Sequence, residues 1–136
     1  MPYKFEKLGV WQFALEYIDL IYDLASMLPK SEEFNLKSQI TRAATSIALN
    51  IAEGSTGQSD AEQSRFLGMS IRSLIETVAC QHIIRRRKYL SDTALLDQAY
   101  TKSNELAKSL QAFRNSLNGI PRGVKEESAS YLVEEI

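Results

Sequence analysis

Cysteine, glycine and proline are all scarce in this chain of 136 residues, which contains 1 cysteine, 6 glycines and 3 prolines. A single cysteine, Cys80, excludes a disulfide within the chain and is typical of a protein from a reducing compartment. The small number of glycines and prolines, with no alternating strand pattern, favours long helices over a turn-rich β fold. The length is that of one domain.

The sequence also lacks an excess of charge of one sign and a long apolar run. It has 16 basic and 17 acidic residues, for a formal net charge of −1, which argues against nucleic-acid binding over the whole surface but leaves local patches open. No apolar run approaches the ~20 residues of a membrane span. No basic-then-apolar leader opens the chain, so we expect a cytoplasmic protein without a membrane partner.

The stretch 39–54 has the clearest pattern in the chain. Its apolar residues recur at steps of three and four, the spacing of one helix face. They are Ile40, Ala43, Ile47 and Ile51. A polar stripe runs beside them at the same steps and consists of Arg42, Ser46, Asn50 and Glu53. Such a helix, apolar over most of its girth and ended by Gly54, belongs inside a helical bundle.

The same periodicity predicts four helices joined by short loops. Pro29 stops the first helix, Ser59 offers an N-cap for the third helix, and Ser91 and Asp92 offer one for the fourth. The predicted helices cover residues 8–28, 36–53, about 60–89, and a last segment that ends near residue 117. We therefore predict an all-α, antiparallel up-down four-helix bundle over residues 1–119, with a short C-terminal tail over residues 120–136.

The first predicted helix has more apolar surface than one neighbour can cover. Either this surface lies deep in the core or it contacts another subunit. The candidate subunit-interface residues are Val10, Trp11, Phe13, Tyr17, Leu20 and Leu24.

Charged residues of the second and third helices are expected to meet across the hairpin. Folding at the 54–59 turn would bring Glu53 near Arg65, and Arg42 near Arg72 and Glu76. The predicted interhelix polar network comprises Arg42, Ser46, Asn50, Glu53, Arg65, Arg72 and Glu76. Its simplest role is to fix helix register, since half-buried charges are costly unless they are paired. The alternatives are an anion or phosphate site with the three arginines as donors, or an enzyme that acts through this network.

A run of four cations closes the third helix. Cations stabilise the C-terminus of a helix, but four in a row exceed what capping needs. The antiparallel bundle would place two lysines of the first loop and second helix at the same end. This basic cluster comprises Lys30, Lys37, Arg85, Arg86, Arg87 and Lys88. Its functional interpretation is a salt-sensitive, sequence-independent contact with a phosphate backbone.

Signals for catalysis, metals and cofactors are weak. His82 is the only histidine, and Cys80, two residues away, would point elsewhere on a helix. The chain lacks the Glu-x-x-His pairs of di-iron bundles, and the Gly54–Gly57 turn lacks the Gly-Lys-Ser/Thr ending of a phosphate loop. We predict no catalytic residue, no cofactor and no metal site.

Several short motifs of the sequence, in their order and spacing, are typical of a known family. They are Phe5-x-x-Leu8-x-Val10-Trp11, Leu28-Pro29, Gln39-Ile40-x-Arg42-Ala43-Ala44-x-Ser46-Ile47, Asn50-Ile51-Ala52-Glu53-Gly54, Glu62-x-x-Arg65-Phe66-Leu67 and Ser73-Leu74-x-Glu76. Over residues 5–119 the chain resembles the bacterial four-helix-bundle proteins first noticed in intervening sequences of 23S rRNA genes. The accessory variability determinant protein of diversity-generating retroelements is similar to the same family.

This resemblance implies a barrel-shaped homopentamer of antiparallel four-helix bundles. For the retroelement branch it also implies that a basic surface binds nucleic acid and a reverse transcriptase. Our hypothesis is therefore a non-enzymatic, homopentameric scaffold whose basic cluster binds nucleic acid or a nucleic-acid enzyme. The alternative is a protein-binding or purely structural oligomer without a nucleic-acid partner.

Overall fold

Four helices make up the structure, a computed structural model that describes residues 3–57 and 59–119. They are α1 (Gly9–Ser26), α2 (Leu36–Gly54), α3 (Asp60–Arg87) and α4 (Ala94–Leu117), with short 3-10 helices at Lys4–Lys7 and Lys30–Glu32. The described residues contain no strand, so the predicted all-α class is confirmed. The predicted tail, residues 120–136, lies outside the described residues.

The helices pack as a four-sided bundle in which α1 contacts α2 and α4, and α3 contacts the same two helices. Neighbours run antiparallel, because residue numbers fall along one helix as they rise along the other. Between α3 and α4, for example, Gly68 lies beside Arg114 and Arg85 pairs with Asp97. The up-down bundle predicted from the sequence is therefore the fold that the structure shows.

The helix ends agree with the predicted caps to within two residues. The Ser59 hydroxyl accepts a hydrogen bond from the Glu62 amide at 3.1 Å, which satisfies one free N–H at the start of α3. Asp92 Oδ1 accepts from the Ala94 amide at 2.9 Å at the start of α4. α3 stops at Arg87, two residues before the predicted end, because Lys88 adopts the left-handed conformation at φ 56°, which breaks the helical repeat.

The core fills the space between the four helices. Its largest fully buried side chains include Tyr17, Ile21, Leu24, Ile40, Ile47, Leu67, Leu74, Leu106 and Leu110. Two predicted interface residues, Tyr17 and Leu24, are therefore inside the subunit, both with 0% exposure, and cannot face another one. The other four (Val10, Trp11, Phe13 and Leu20) are half-buried at the edges of α1.

A chain of polar groups crosses this core. Gln81 Nε2 donates to Tyr17 Oη at 2.8 Å, and that hydroxyl lies 2.7 Å from Thr77 Oγ1. Thr77 in turn donates to the Leu74 carbonyl at 2.6 Å. Burial raises the pKa of Tyr17 far above its ordinary value, so the phenol stays neutral and can donate to Thr77. These hydrogen bonds connect α1 to the middle of α3.

In the ranges 3–57 and 59–119 no helix is both long enough and apolar enough to span a lipid bilayer.

Candidate functional site

The basic cluster lies at one end of the bundle, where α1 and α3 end and α2 and α4 begin. A hydrogen bond of 2.8 Å from Tyr89 Oη to Glu32 Oε2 joins the α3–α4 connection to the loop before α2. This contact places Lys30 and Lys37 at the same end as the run from Arg85 to Lys88. The structure thus brings Lys30 and Lys37 together with four consecutive cations that lie about fifty residues further along the chain.

Carboxylates offset part of this charge. Arg85 pairs with Asp97 at 2.8 Å, and Lys37 pairs with Glu33 at 3.2 Å. Hydrogen bonds from Tyr89 and from the Leu36 amide lower the pKa of Glu32, which therefore stays ionised. All of these groups are at least partly exposed, so the pairs are weak and an anionic partner could displace them.

Three cations of the cluster stay uncompensated. Arg86, Lys88 and Lys30 are exposed, and within the described part of the chain none of them forms an ion pair. Arg87 sits over the Tyr89 ring, with its guanidinium carbon 5.9 Å from the ring centroid. Arg87 and the three unpaired cations therefore remain available to a phosphate backbone.

A groove between α2 and α3 adjoins the cluster, and the α1–α2 loop forms its wall at that end. It consists of two cavities of about 410 and 510 Å³ that share Asn35, Gln39 and Glu76. The first cavity is also lined by Phe34, Ser38, Arg42, Ala43, Ser46 and Ser73. The second is also lined by Glu32, Leu36, Ala79, Cys80, Ile83, Arg87 and Tyr89. We call these two cavities the α2/α3 groove.

Most charged residues of the predicted polar network have different partners from those expected, although Glu53 does lie near Arg65, where it adds to the larger effect of Glu62 in raising the pKa of Arg65. Arg65 pairs with Glu62 on its own helix, Nε to Oε2 at 3.1 Å, and this hydrogen bond lowers the pKa of Glu62. Arg42 donates to Ser38 Oγ, also on its own helix, at 3.1 Å. Arg42, Glu53, Arg65, Arg72 and Glu76 are all exposed. Their charges are solvated, so the half-buried interhelix ion pairs that we expected are not needed.

Small hydroxyl groups make the contacts between α2 and α3 instead. Ser73 Oγ donates to Ser46 Oγ at 2.9 Å, and Ser70 Oγ donates to the Ile47 carbonyl at 2.8 Å. Asn50 Nδ2 donates to the Ser46 carbonyl within α2 at 2.9 Å. Arg42 and Glu76 both line the first cavity of the groove, whereas Arg65 and Arg72 line neither cavity. The three arginines therefore do not converge on one anion.

An exposed apolar face lies along α1 and α2. It comprises Leu15, Tyr22 and Leu49, which are 37%, 50% and 62% exposed, with the half-buried Ile18 at its edge. The hydrogen bond of 3.1 Å between Tyr22 Oη and Thr45 Oγ1 holds the two helices together at this face. Sequence periodicity missed Leu15 and Leu49, because neither follows the spacing of a core row. Their signal would have been their position opposite the buried row of their own helix.

His82 and Cys80 do not form a catalytic pair. His82 is exposed on the α4 side of α3, where its ring lies 6.0 Å from that of Tyr100. Cys80 is buried, and burial raises the pKa of its thiol to about 11, which leaves little nucleophilic thiolate near neutral pH. Within residues 3–57 and 59–119 no three His, Cys, Asp or Glu side chains are grouped so that they could hold a metal ion.

Comparison with known proteins shows the family of this chain. None of the curated proteins is significantly similar to this chain. The sequence profile of the family described as 23S rRNA-intervening sequence protein matches residues 6–112, a span that runs from before α1 into α4. The match covers most of the chain and nearly all of the bundle, as the sequence motifs predict. The chain therefore belongs to the 23S rRNA-intervening sequence protein family.

Proposed function

We propose that this protein is a non-enzymatic, cytoplasmic scaffold that assembles as a homo-oligomer, a pentamer by family resemblance, and binds nucleic acid through its basic cluster. The observation that carries the proposal is the placement of six cations at one end of the bundle, with Arg86, Lys88 and Lys30 unpaired among the described residues.

The electrostatics favour a phosphate backbone over a small anion. The unpaired cations are exposed and spread over a helix end and a neighbouring loop, so they suit an extended polyanion. A symmetric oligomer would repeat the cluster once per subunit, which multiplies the number of phosphates that it neutralises. Binding of this kind releases counterions and therefore weakens steeply as salt rises, with little dependence on sequence.

Neutralising Arg86 and Lys88 tests this proposal. The double variant Arg86→Gln/Lys88→Gln should reduce the slope of log affinity against log salt concentration by about 2 for each subunit that contacts the duplex, since each lost phosphate contact removes about 0.9. The measurement is fluorescence anisotropy with a labelled duplex between 50 and 200 mM salt, in the range where such slopes are resolved.

The matched control is Lys7→Gln/Lys108→Gln, which removes two exposed lysines outside the basic cluster, one before α1 and one in the second half of α4. It should leave the slope unchanged. Equal slopes for wild type and Arg86→Gln/Lys88→Gln would remove the basic cluster from the proposal, and no binding of wild type at 50 mM salt would remove the nucleic-acid function altogether.

The exposed apolar face supports the oligomeric part of the proposal. Leu49 is 62% and Tyr22 50% exposed. Large apolar side chains that are grouped and exposed in this way are typical of a subunit interface. Beside them, Tyr3, Phe5 and Leu49 line a cavity of about 840 Å³ that could receive side chains of a second copy.

A lysine at Leu49 should therefore dissociate the oligomer. Light scattering coupled to size exclusion should give a mass of several chains for wild type and of one chain for Leu49→Lys, because burying a charge at the interface is costly even where Glu53, one turn along α2 in the same cavity, can pair with it. The control Ile83→Lys, at an apolar residue of α3 that is 47% exposed, should keep the wild-type mass. A monomeric wild type would contradict this part of the proposal.

The second candidate function is a protein-binding or purely structural oligomer without nucleic acid. The cavity at Tyr3, Phe5 and Leu49 favours it, since the lining is mainly apolar and suits a protein side chain. Passage of wild type through a polynucleotide affinity column at low salt without retention, together with an oligomeric mass, would support this second function over the first.

A further inference from the structure

We propose that the α2/α3 groove binds single-stranded nucleic acid, with one unstacked base packed against the ring of Phe34. The inference rests on the nucleic-acid function proposed above. It adds the form of nucleic acid that the protein prefers and the side chain that selects it.

The exposure of Phe34 is unusual for a large apolar side chain. This side chain is 95% exposed, although a phenylalanine ring in water forfeits the free energy of burial. It lies in the loop before α2, next to Glu33 and Lys37, and it lines the first cavity of the groove together with Arg42. An exposed ring beside cations is the arrangement with which proteins stack the bases of single strands.

The loop that carries Phe34 is held in place. Glu32 accepts hydrogen bonds from Asn35 Nδ2 at 2.8 Å, from the Leu36 amide at 3.2 Å and from Tyr89 Oη at 2.8 Å. These bonds fix the residues on both sides of Phe34 to the start of α2 and to the end of α3. The ring is therefore presented to solvent by an anchored loop, which reduces the entropy that a stacked base would cost.

The walls of the groove can bond the edges of a base. Asn35 and Gln39 contribute amides to both cavities, and Ser38, Ser46 and Ser73 contribute hydroxyls to the first. Side chains of these types hydrogen-bond the exposed edges of unpaired bases. With about 410 and 510 Å³, both cavities fall within the roughly 300–1,000 Å³ of small-ligand pockets.

The charges of the groove fit a strand that enters from the basic cluster. Arg42 lies in the first cavity and Arg87 in the second, so cations stand at two points along the groove. Glu33 is already paired with Lys37, and Glu32 is engaged by the loop. Glu76, which lines both cavities, can accept from the exocyclic amino group of a base.

A duplex could not use these contacts. Its bases are stacked on each other, and their pairing edges are already bonded, so neither Phe34 nor the groove amides could reach them without extrusion of a base. A duplex would therefore contact the basic cluster alone. A single strand would gain the stacking contact as well, and the protein should bind it more tightly than a duplex of equal length.

Substitution of Phe34 separates the groove from the basic cluster. Fluorescence anisotropy is measured with a labelled 20-nucleotide mixed-sequence single strand and with the matching duplex. Phe34→Leu keeps an apolar side chain but removes the ring, and it should lower the single-strand affinity about 5- to 150-fold, the worth of one stacked base. It should leave the duplex affinity unchanged, while Phe34→Trp should keep or increase the single-strand affinity.

The outcomes distinguish this inference from the function on which it rests. Equal single-strand affinity for wild type and Phe34→Leu, or an equal loss for single strand and duplex, would overturn the inference and leave the basic cluster as the nucleic-acid site. A wild type that binds neither probe would overturn both. A wild type that binds only the duplex would keep the proposed function and reject the groove as a site for bases.

Discussion

Replacing Tyr17 with alanine is expected to lower the free energy of unfolding by about 3–5 kcal/mol, the usual loss for a large buried aromatic residue. The ring has 0% exposure, so its removal leaves a cavity between α1 and α3. It also removes the only bond that Gln81 Nε2 makes among the described residues, which leaves a buried donor unsatisfied. Chemical denaturation followed by circular dichroism measures this loss.

Two further variants show which part of Tyr17 matters. Tyr17→Phe keeps the ring but removes the hydroxyl to which Gln81 donates, and it should cost about 1–3 kcal/mol. Tyr22→Ala, at a tyrosine on the same helix that is 50% exposed, should cost far less in the monomer. Similar small losses at both tyrosines would mean that Tyr17 is not in the core and would reopen its assignment to a subunit interface.

A valine at Gly54 is expected to lower the free energy of unfolding by about 1–3 kcal/mol. A Cβ at this position would lie 2.7 Å from Phe66 Cβ and 3.4 Å from the Gln63 carbonyl oxygen. Phe66 Cβ is attached directly to the backbone of α3 and cannot swing away, so α2 and α3 would have to separate. This loss should exceed the gain of up to about 1 kcal/mol that replacing a helical glycine usually brings.

The matched control for Gly54 is Gly9→Val. Gly9 is also a terminal residue of a helix, but a Cβ there would meet no atom within 4 Å. We expect its free energy of unfolding to stay within about 0.5 kcal/mol of wild type, as for most surface substitutions. A Gly54 variant as stable as the Gly9 variant would contradict the close approach of α2 and α3.

Gly54 also shows how far a sequence pattern can be interpreted. Its position predicted the end of α2, and the helix does end there. The reason for a glycine at this position differs from the one expected, which was the backbone conformation of a helix end. A glycine that ends a helix usually adopts a positive φ, whereas in this chain the positive-φ glycines are Gly57 and Gly119 among the described residues. Gly54 is needed for contact between helices, and sequence spacing does not reveal such a contact.

The basic cluster was predictable in part and the groove was not. Four consecutive cations at the end of a long helical pattern are visible in the sequence, and short loops place Lys30 and Lys37 beside them. Phe34 offered no such pattern, because one aromatic residue in a polar loop has no periodicity. Its exposure depends on the bonds that anchor the loop, and these join residues as far apart as Glu32 and Tyr89.

The four helices, their order and most of their ends could be predicted from the sequence, because helix periodicity and capping act within a few residues of the chain. The packing of the helices, in contrast, makes Tyr17 part of the core, leaves Leu49 exposed and brings Gly54 against Phe66. These outcomes depend on which face of each helix its neighbours cover. Burial, close approach and long-range hydrogen bonds arise only when distant segments meet, so local spacing cannot specify them.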